Sequence, residues 1–424
     1  MPRTKNRRDV AAPAARDGRY LQPLPSGNSN ARALILITTL LVTFGTIAVA
    51  SASEGQATVN GGSAWSIMIH DVVYLGLGVF ALYVMARLRV EQLVRKAPAL
   101  MLGGLGLLLA VKAVGITTNG GKRWLNLRVI DLQPSEIFKL VTVLFVAWLV
   151  QHHHNELGHA RQLAIWTLPV TLGGALILIE PDIGTASVVV CIAFAMLAVA
   201  GLSRRLLARI ALLGVGGFLV YMKLKPYSAA RFFSFLHPNA NLQGAGYQLF
   251  QSKIGLGAGG VSGLGLGHSR EKWGLLPNPH TDFIFTIIGE ELGFIGTIVV
   301  IMLFVGFLFY AIRIAQQCTN EVYRLICVGI ATWIALEAII NIASVVGWWA
   351  VTGIPLPFFS YGGTALITEL AAVGLLFNIA HDRSRSRDVT IREHVVTDFR
   401  AKFDARNPTR GAASRPRNGT RREY

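Results

Sequence analysis

The stretch HTDFIFTIIGEELGFIGTIVVIMLFVGF, residues 280–307, decides the class of this chain. A membrane-crossing helix needs roughly 20 mainly apolar residues. From Phe283 onward this run supplies them, with Glu290 and Glu291 as its charges. Asp282 stands at the entrance, behind the proline-rich LPNP of residues 276–279. A carboxylate at a helix start accepts backbone N–H groups and is favoured by the helix dipole. A helix cap is therefore one reading of Asp282, and a reacting group at a membrane threshold is the other.

The rest of the chain is of the same kind. Of 424 residues, 52% are hydrophobic and only 15% are charged, and the mean hydropathy is +0.49. That balance predicts an all-α polytopic membrane protein. The formal charge of +17 is concentrated at the ends: residues 1–32 carry +5 and residues 381–424 carry +6. Neither end interleaves aromatics with its basic residues, which argues against nucleic acid. Both read as disordered cytoplasmic tails that favour anionic headgroups. The three cysteines suggest no disulfide framework and no metal-ligand spacing. AVASAS (48–53) offers small residues of the kind a signal peptidase cuts, but the basic leader is long for a signal peptide, so an uncleaved first span is expected.

About ten spans are expected, near 33–52, 69–88, 98–115, 136–152, 162–179, 184–201, 206–224, 284–312, 323–347 and 358–380. Lys and Arg in short loops mark the cytoplasmic side. Arg87, Arg89, Arg95, Lys96, Arg161, Arg204, Arg205, Arg313 and Arg324 all fall on one side with both tails. The opposite side holds SEGQATVNGGS (53–63) and EPD (180–182). Both termini are thus expected in the cytoplasm. Two outer segments stand apart. NGGKRWLNLRVIDLQPSE (119–136) is basic against the bias, which points to an anion met locally by Lys122 and Arg123. Residues 225–283 form the longest loop, without obvious secondary structure, and long loops of that kind are usually functional.

Several motifs carry two readings. PSEIFK puts Glu136 and Lys139 on one helix face, either as a self-neutralising pair or as a pair that orients a substrate or a neighbouring carboxylate. IGLGAGGVSGLGLG (254–267) contains G-x-G-x-x-G, but not in the strand–turn–helix context a dinucleotide site needs. HHHNELGH (152–159) is histidine-rich without the H-E-x-x-H zinc pattern. EPDIGT (180–185) fits a proline turn. Glu290 or Glu291 is expected to face the bundle interior, because a lipid-facing carboxylate is costly. Helix-to-helix hydrogen bonding is the default for Glu337, Asn341 and Glu369. TGIPLPFFSYGGT (352–364) breaks helix at membrane depth, which is tolerated where backbone is buried or lines a cavity. It points to a groove walled by Ser360 and its neighbours.

The motifs NGGKRWLNL, LQPSEIFK, EPDIGTA, GYQLFQS, GLGHSREKWGLLPNPHTDFIFTIIGEELGFIG and TGIPLPFFSYGGT, in this order, resemble the SEDS family (shape, elongation, division and sporulation). The resemblance spans about residues 33–380 and is nearer to the division-type members than to the elongation type. The small pair after YGG is Thr364–Ala365 rather than two serines, a conservative departure. The resemblance implies a peptidoglycan glycosyltransferase of the cytoplasmic membrane, acting at the division septum with its active site on the outer face. Lipid II and the nascent glycan strand are the implied substrates. A class B penicillin-binding transpeptidase and other divisome proteins are the implied partners. It also implies Asp282 as the catalytic residue, and Glu136 with Lys139 at the substrate.

On that reading Asp282 is the general base that activates the acceptor sugar hydroxyl. Lys139, Lys122, Arg123 and Arg231 are the candidate cations for a diphosphate leaving group. Ser360 lines the substrate groove, and His280, Glu290 and Glu291 support the loop. A divalent cation, Mg or Mn, bridging the diphosphate and Asp282 is a further expectation. A lipid II flippase is the competing class: it would place its charges through the membrane depth, whereas a polymerase clusters them outside. A pure scaffold would leave Asp282, Glu136 and Lys139 individually dispensable.

Overall fold

The computed structural model describes residues 29–60, 64–118, 121–126, 130–153, 156–225, 229, 232–233, 235–236, 245–277 and 279–381. Both basic tails and Arg231 lie outside the described residues.

The first three helices are α1 (Ser29–Asn60), α2 (Ala64–Arg87) and α3 (Val90–Val114). A small antiparallel sheet follows, with β1 (Ile116–Thr118), β2 (Gly121–Asn126) and β3 (Asp131–Leu132) in that order. Then come α4 (Pro134–His153), α5 (Ala160–Ile179), α6 (Ile183–Val199) and α7 (Arg204–Leu224). A shorter α8 (Ala245–Gly259) precedes α9 (Ile284–Gln317), α10 (Glu321–Val346) and α11 (Thr364–His381). Among the described residues nine helices are long and apolar enough to cross a membrane, and α6 is a shorter apolar helix of 17 residues. These are the ten stretches expected from hydropathy.

Burial orders the bundle. The apolar windows of α4 and α11 are 83% and 89% buried, and that of α7 only 11%. α4, α10 and α11 therefore form the centre, and α7 lies at the edge. Along α4 nearly every residue from Pro134 to Val150 is buried, charged ones included.

The all-α class holds, with a small β-sheet added between α3 and α4 in which Leu125 pairs with Leu132. Three expectations are corrected. The 225–283 segment is not a long irregular loop. Its α8 packs against α9 and α10, where Ser252 Oγ donates to the Val345 carbonyl at 2.9 Å and meets Thr286 Oγ1 at 2.7 Å. α1 continues to Asn60 through most of the polar stretch expected as a loop. That continuation is held from outside, since Gly55 leaves room for the Lys272 carbonyl against the helix. Finally, the last span starts at Thr364 rather than 358, because PLPFFSYGG remains non-helical.

That last segment dips deep into the bundle. A Cβ on Gly45, midway along α1, would lie 2.2 Å from the Phe358 carbonyl oxygen. Phe358 adopts φ 65°, a left-handed conformation costly for an aromatic residue. Backbone at this depth must find partners inside the protein. The Phe358 N–H donates to Glu369 Oε2 at 2.8 Å, and the Leu356 N–H donates to Ser360 Oγ at 2.7 Å.

Candidate active site

The starts of four helices gather at one end of the bundle. The Gln133 N–H before α4 donates to Thr364 Oγ1 of α11 at 3.0 Å. Thr364 Oγ1 in turn donates to the Asp131 carbonyl at 2.9 Å. The Tyr361 N–H before α11 donates to the His280 carbonyl before α9 at 2.8 Å. Gly184 of α6 lies against Ile354, and a Cβ there would meet its side chain at 2.6 Å. Each helix start carries about half a positive charge, so four of them favour an anion at this end.

Asp282 belongs to this end and is half-buried. It is not at the cap position: Phe283 is the residue flanking α9, and no side-chain bond closes that cap. Thr281 Oγ1 donates to Asp282 Oδ1 at 3.0 Å. The backbone carbonyl of Asp282 accepts from Asn341 Nδ2 of α10 at 2.8 Å, and the same amide donates to the Ile354 carbonyl at 2.9 Å. One buried side chain thus ties the HTDF turn to the non-helical segment before α11. His280 is buried beside the Tyr361 ring, with centroids 5.5 Å apart. Burial holds its imidazole down at about 4, so the ring is neutral at pH 7.

Beneath Asn341, one turn back toward the start of α10, lies a charged cluster. Lys139 Nζ pairs with Glu136 Oε2 at 2.5 Å and with Glu337 Oε1. All three side chains are essentially inaccessible. Trp333 Nε1 donates to Glu337 Oε2 at 2.7 Å, and the ammonium sits 5.0 Å above the Trp333 ring. The expected Glu136–Lys139 pair is present, with an additional carboxylate from α10. Two acids enclosed with one base engage its ammonium on both sides, so Lys139 is not an open cation. Lys139, expected as a cation at the site, is thus enclosed by its two partners.

Glu290 and Glu291 are both buried in α9. Glu290 Oε2 accepts from Ser269 Oγ at 2.5 Å, and its Oε1 accepts from the Arg270 N–H at 2.9 Å. Glu291 Oε1 accepts from Ser51 Oγ at 2.6 Å and lies 3.7 Å from Lys272 Nζ. Lys272 is fully buried, and its Nζ also donates to Ser51 Oγ at 3.2 Å and pairs with Glu54 at 3.6 Å. The two glutamates therefore pin the SREK segment that leads into HTDF. Burial, and then the charge of Glu290, raise the Glu271 carboxyl to about 7.

The glycine-rich stretch serves the same clamp. α9 breaks at Gly293, with φ 68° and ψ −165°. The freed carbonyls of Glu290 and Glu291 accept from Leu264 and Gly265 at 3.0 Å each. The Phe294 and Ile295 N–H groups donate to the Gly260 and Val261 carbonyls at 2.9 and 3.2 Å. Four backbone groups freed at the break are thus bonded across it.

At the rim, Arg123 Nε donates to the Glu180 carbonyl at 2.9 Å and its Nη2 to the Pro181 carbonyl at 2.7 Å. Lys122 is exposed on β2. Asp182 caps α6, accepting from the Thr185 N–H at 3.0 Å. Glu180 is buried next to it, and burial with the Asp182 charge pushes its carboxyl up to about 8 despite Arg123. Ser360 is buried and engaged with the Leu356 N–H.

Three residues were not singled out from sequence. Asp71 of α2 is buried, and Tyr361 sits in its field and in that of Asp131. Tyr74 meets Tyr361 edge-on at 6.3 Å, and its hydroxyl accepts from the Asp131 N–H at 3.1 Å. Lys272 lay within a quoted motif without a role. A charge inside an apolar helix was the signal available for Asp71. Two histidines at the end of α4 have local partners: His152 Nδ1 lies 3.0 Å from the Trp148 carbonyl, and His153 stacks on Trp166.

Comparison with known proteins places this arrangement among relatives. The cell cycle protein family of FtsW, RodA and SpoVE matches residues 31–385. The "Probable peptidoglycan glycosyltransferase FtsW" of Coxiella burnetii is 36% identical over 357 residues, 82% of this chain and 95% of the relative. Stage V sporulation protein E of Bacillus subtilis is 36% identical over 350 residues, covering 82% and 96%. A chain from a peptidoglycan synthase complex that coordinates polymerization and crosslinking superposes with a TM-score of 0.69 at 28% identity, covering 82% of this chain and 97% of that one. The rod shape determining protein RodA of Thermus thermophilus gives 0.59 at 26% identity, covering 82% and 96%.

Proposed function

The chain belongs to the SEDS family of cell cycle proteins, and from that membership we propose that it is a peptidoglycan glycosyltransferase that polymerises lipid II on the outer face of the cytoplasmic membrane during cell division. The observation that carries the site is the position of Asp282. It is a half-buried carboxylate outside the cap, held through its backbone by Asn341, where four helix starts converge. Loop charges support the outer placement of that end.

Asp282 takes the proton from the acceptor 4-hydroxyl as that oxygen bonds to the anomeric carbon of the growing chain. The bond from that carbon to the diphosphate oxygen breaks in the same step, and undecaprenyl diphosphate leaves. A single displacement inverts the anomeric configuration. The helix starts, with Lys122 and Arg123 at the rim, favour the negative charge that builds on the leaving group. Charge stabilisation of this kind, with a general base worth roughly 10²–10⁴-fold, matches what the residues offer.

Among the described residues no three His, Cys, Asp or Glu side chains converge as a metal cage. A Mg or Mn ion brought in with the diphosphate would be held by Asp282, as Mg sites built on substrate phosphates are held by one or two carboxylates. Such an ion would supply charge neutralisation of the leaving group. A transport path would need charges open along the membrane depth, whereas the Lys139 cluster is closed and its charges are paired with one another. The similarity to a chain of a peptidoglycan synthase complex supports a crosslinking partner, in the proposal a class B penicillin-binding transpeptidase at the septum, with other divisome proteins.

The test is polymerisation of labelled lipid II by purified Asp282→Asn together with its transpeptidase. Loss of glycan by roughly 100-fold or more is expected. Near-normal glycan from a folded variant would remove Asp282 from the base role. Absence of glycan from the wild-type protein, with lipid II crossing a vesicle bilayer instead, would replace the polymerase with a flippase.

A further inference from the structure

Tyr361 is held from several directions. Its N–H donates to the His280 carbonyl at 2.8 Å, two residues before Asp282. Its ring lies tilted against the His280 imidazole, with centroids 5.5 Å apart, and meets Tyr74 of α2 edge-on at 6.3 Å. Gly363, at φ 33°, lies so close to Tyr74 that a Cβ there would stand 2.7 Å from its ring. The Tyr74 hydroxyl is already engaged, accepting from the Asp131 N–H at 3.1 Å. A phenol fixed in this way loses little further freedom when it binds something.

The hydroxyl of Tyr361 is the part that the fold leaves unspent. Tyr361 is half-buried. Its hydroxyl has no hydrogen-bond partner among the described residues, and it is not enclosed, in contrast to the buried His280 Nδ1 beside it. Burial, then the fields of Tyr74, Asp71 and Asp131, push the phenol up to about 12, so at neutral pH it is a donor and not a base. The Asp71 and Asp131 carboxylates oppose an anion at this place, which disfavours a diphosphate there. A neutral oxygen, such as a sugar hydroxyl or an amide carbonyl, is the acceptor that suits this phenol.

We infer that the Tyr361 hydroxyl contacts the acceptor sugar, donating a hydrogen bond to a neutral oxygen close to the 4-hydroxyl that Asp282 deprotonates. That role rests on the polymerase reading and adds to it: the SYGG turn recognises the acceptor sugar and not the leaving group. Tyr361 gains and loses no covalent bond, so the contact belongs to binding and not to the chemical step.

The test reads binding apart from turnover. In an Asp282→Asn parent, affinity for lipid II is compared with affinity for undecaprenyl diphosphate, which carries the lipid and the diphosphate without a sugar. Adding Tyr361→Phe keeps the ring contacts and the backbone bond and removes only the hydroxyl. It should weaken lipid II by about three- to tenfold, the loss of one hydrogen bond, and leave undecaprenyl diphosphate unchanged. In the otherwise wild-type chain, Tyr361→Phe should raise KM for lipid II by the same factor with kcat little changed. Tyr74→Phe removes the neighbouring hydroxyl and should leave the ratio of the two affinities as in the parent. Unweakened lipid II in Tyr361→Phe overturns the inference. So does an equal loss for both ligands, which would put the hydroxyl at the diphosphate or in the fold, or an equal effect of Tyr74→Phe. Absence of glycan from the wild-type protein would remove the polymerase reading and leave the binding comparison standing.

Discussion

The Asn341 side-chain amide bridges two carbonyls that are far apart in sequence, Asp282 at 2.8 Å and Ile354 at 2.9 Å. The bridge fixes the backbone of the residue proposed as base against the segment that walls the groove. Asn341→Leu removes both bonds and leaves two carbonyls unsatisfied, costing about 1–3 kcal/mol each. Because the Asp282 carboxylate is displaced rather than removed, kcat on lipid II should fall at least roughly tenfold with KM little changed. A steady-state comparison of the folded variant checks this, and an unchanged kcat would deny Asn341 any positioning role.

Lys139 is the hub of the buried cluster. Lys139→Met leaves Glu136 and Glu337 facing each other without a counter-charge. Breaking a buried pair in this way costs about 3–5 kcal/mol. The triple variant Glu136→Gln, Lys139→Met, Glu337→Gln carries no net buried charge and should recover most of that loss. Thermal unfolding in detergent measures both. A triple variant as unstable as the single one would show that packing, not charge, governs the site.

Gly293 marks the break in α9. Its φ and ψ lie in a region used essentially by glycine, and a Cβ there would stand 2.3 Å from the Gly263 nitrogen. Gly293→Ala should therefore cost more than the roughly 1–3 kcal/mol of backbone strain alone. The glycine-rich loop should detach from Glu290 and Glu291. Faster hydrogen exchange at Leu264 and Gly265 is the expected signature, and exchange equal to wild type would contradict the account of the break.

Glu180 titrates near neutrality. Burial, then Asp182, raise its carboxyl to about 8 from an ordinary value of 4.5. The folded protein therefore binds the proton more tightly than the unfolded chain, and stability falls with rising pH between those values. The contribution is complete below about 4.5 and lost as pH passes about 8. Glu180→Gln, neutral at every pH, should flatten the decline in unfolding temperature between about pH 4.5 and about 8. A decline of wild-type steepness in the variant would assign the pH dependence to another group, with Glu271 the next to examine.

Much of the molecule was legible without coordinates. Apolar length alone gave the ten hydrophobic stretches, because a helix in lipid satisfies its own backbone and needs only neighbouring residues to be apolar. Motif order gave the family and singled out Asp282, and i, i+3 spacing gave the Glu136–Lys139 pair. Sheet formation at 116–132 and the helix at 245–259 were not legible. Both segments are short and mixed in character, and each is stabilised by what it packs against.

What the sequence determined by itself, then, was class, the approximate places of the apolar stretches and the identity of a threshold carboxylate. Only the tertiary structure decided how buried charges are compensated: Lys139 by Glu337, Lys272 by Glu291, and the Asp282 backbone by Asn341. A buried charge must find a partner or a hydrogen bond, and helix packing selects that partner from anywhere along the chain. Local pattern cannot name it. The same packing put Asp282 off the cap and at the convergence of four helix starts.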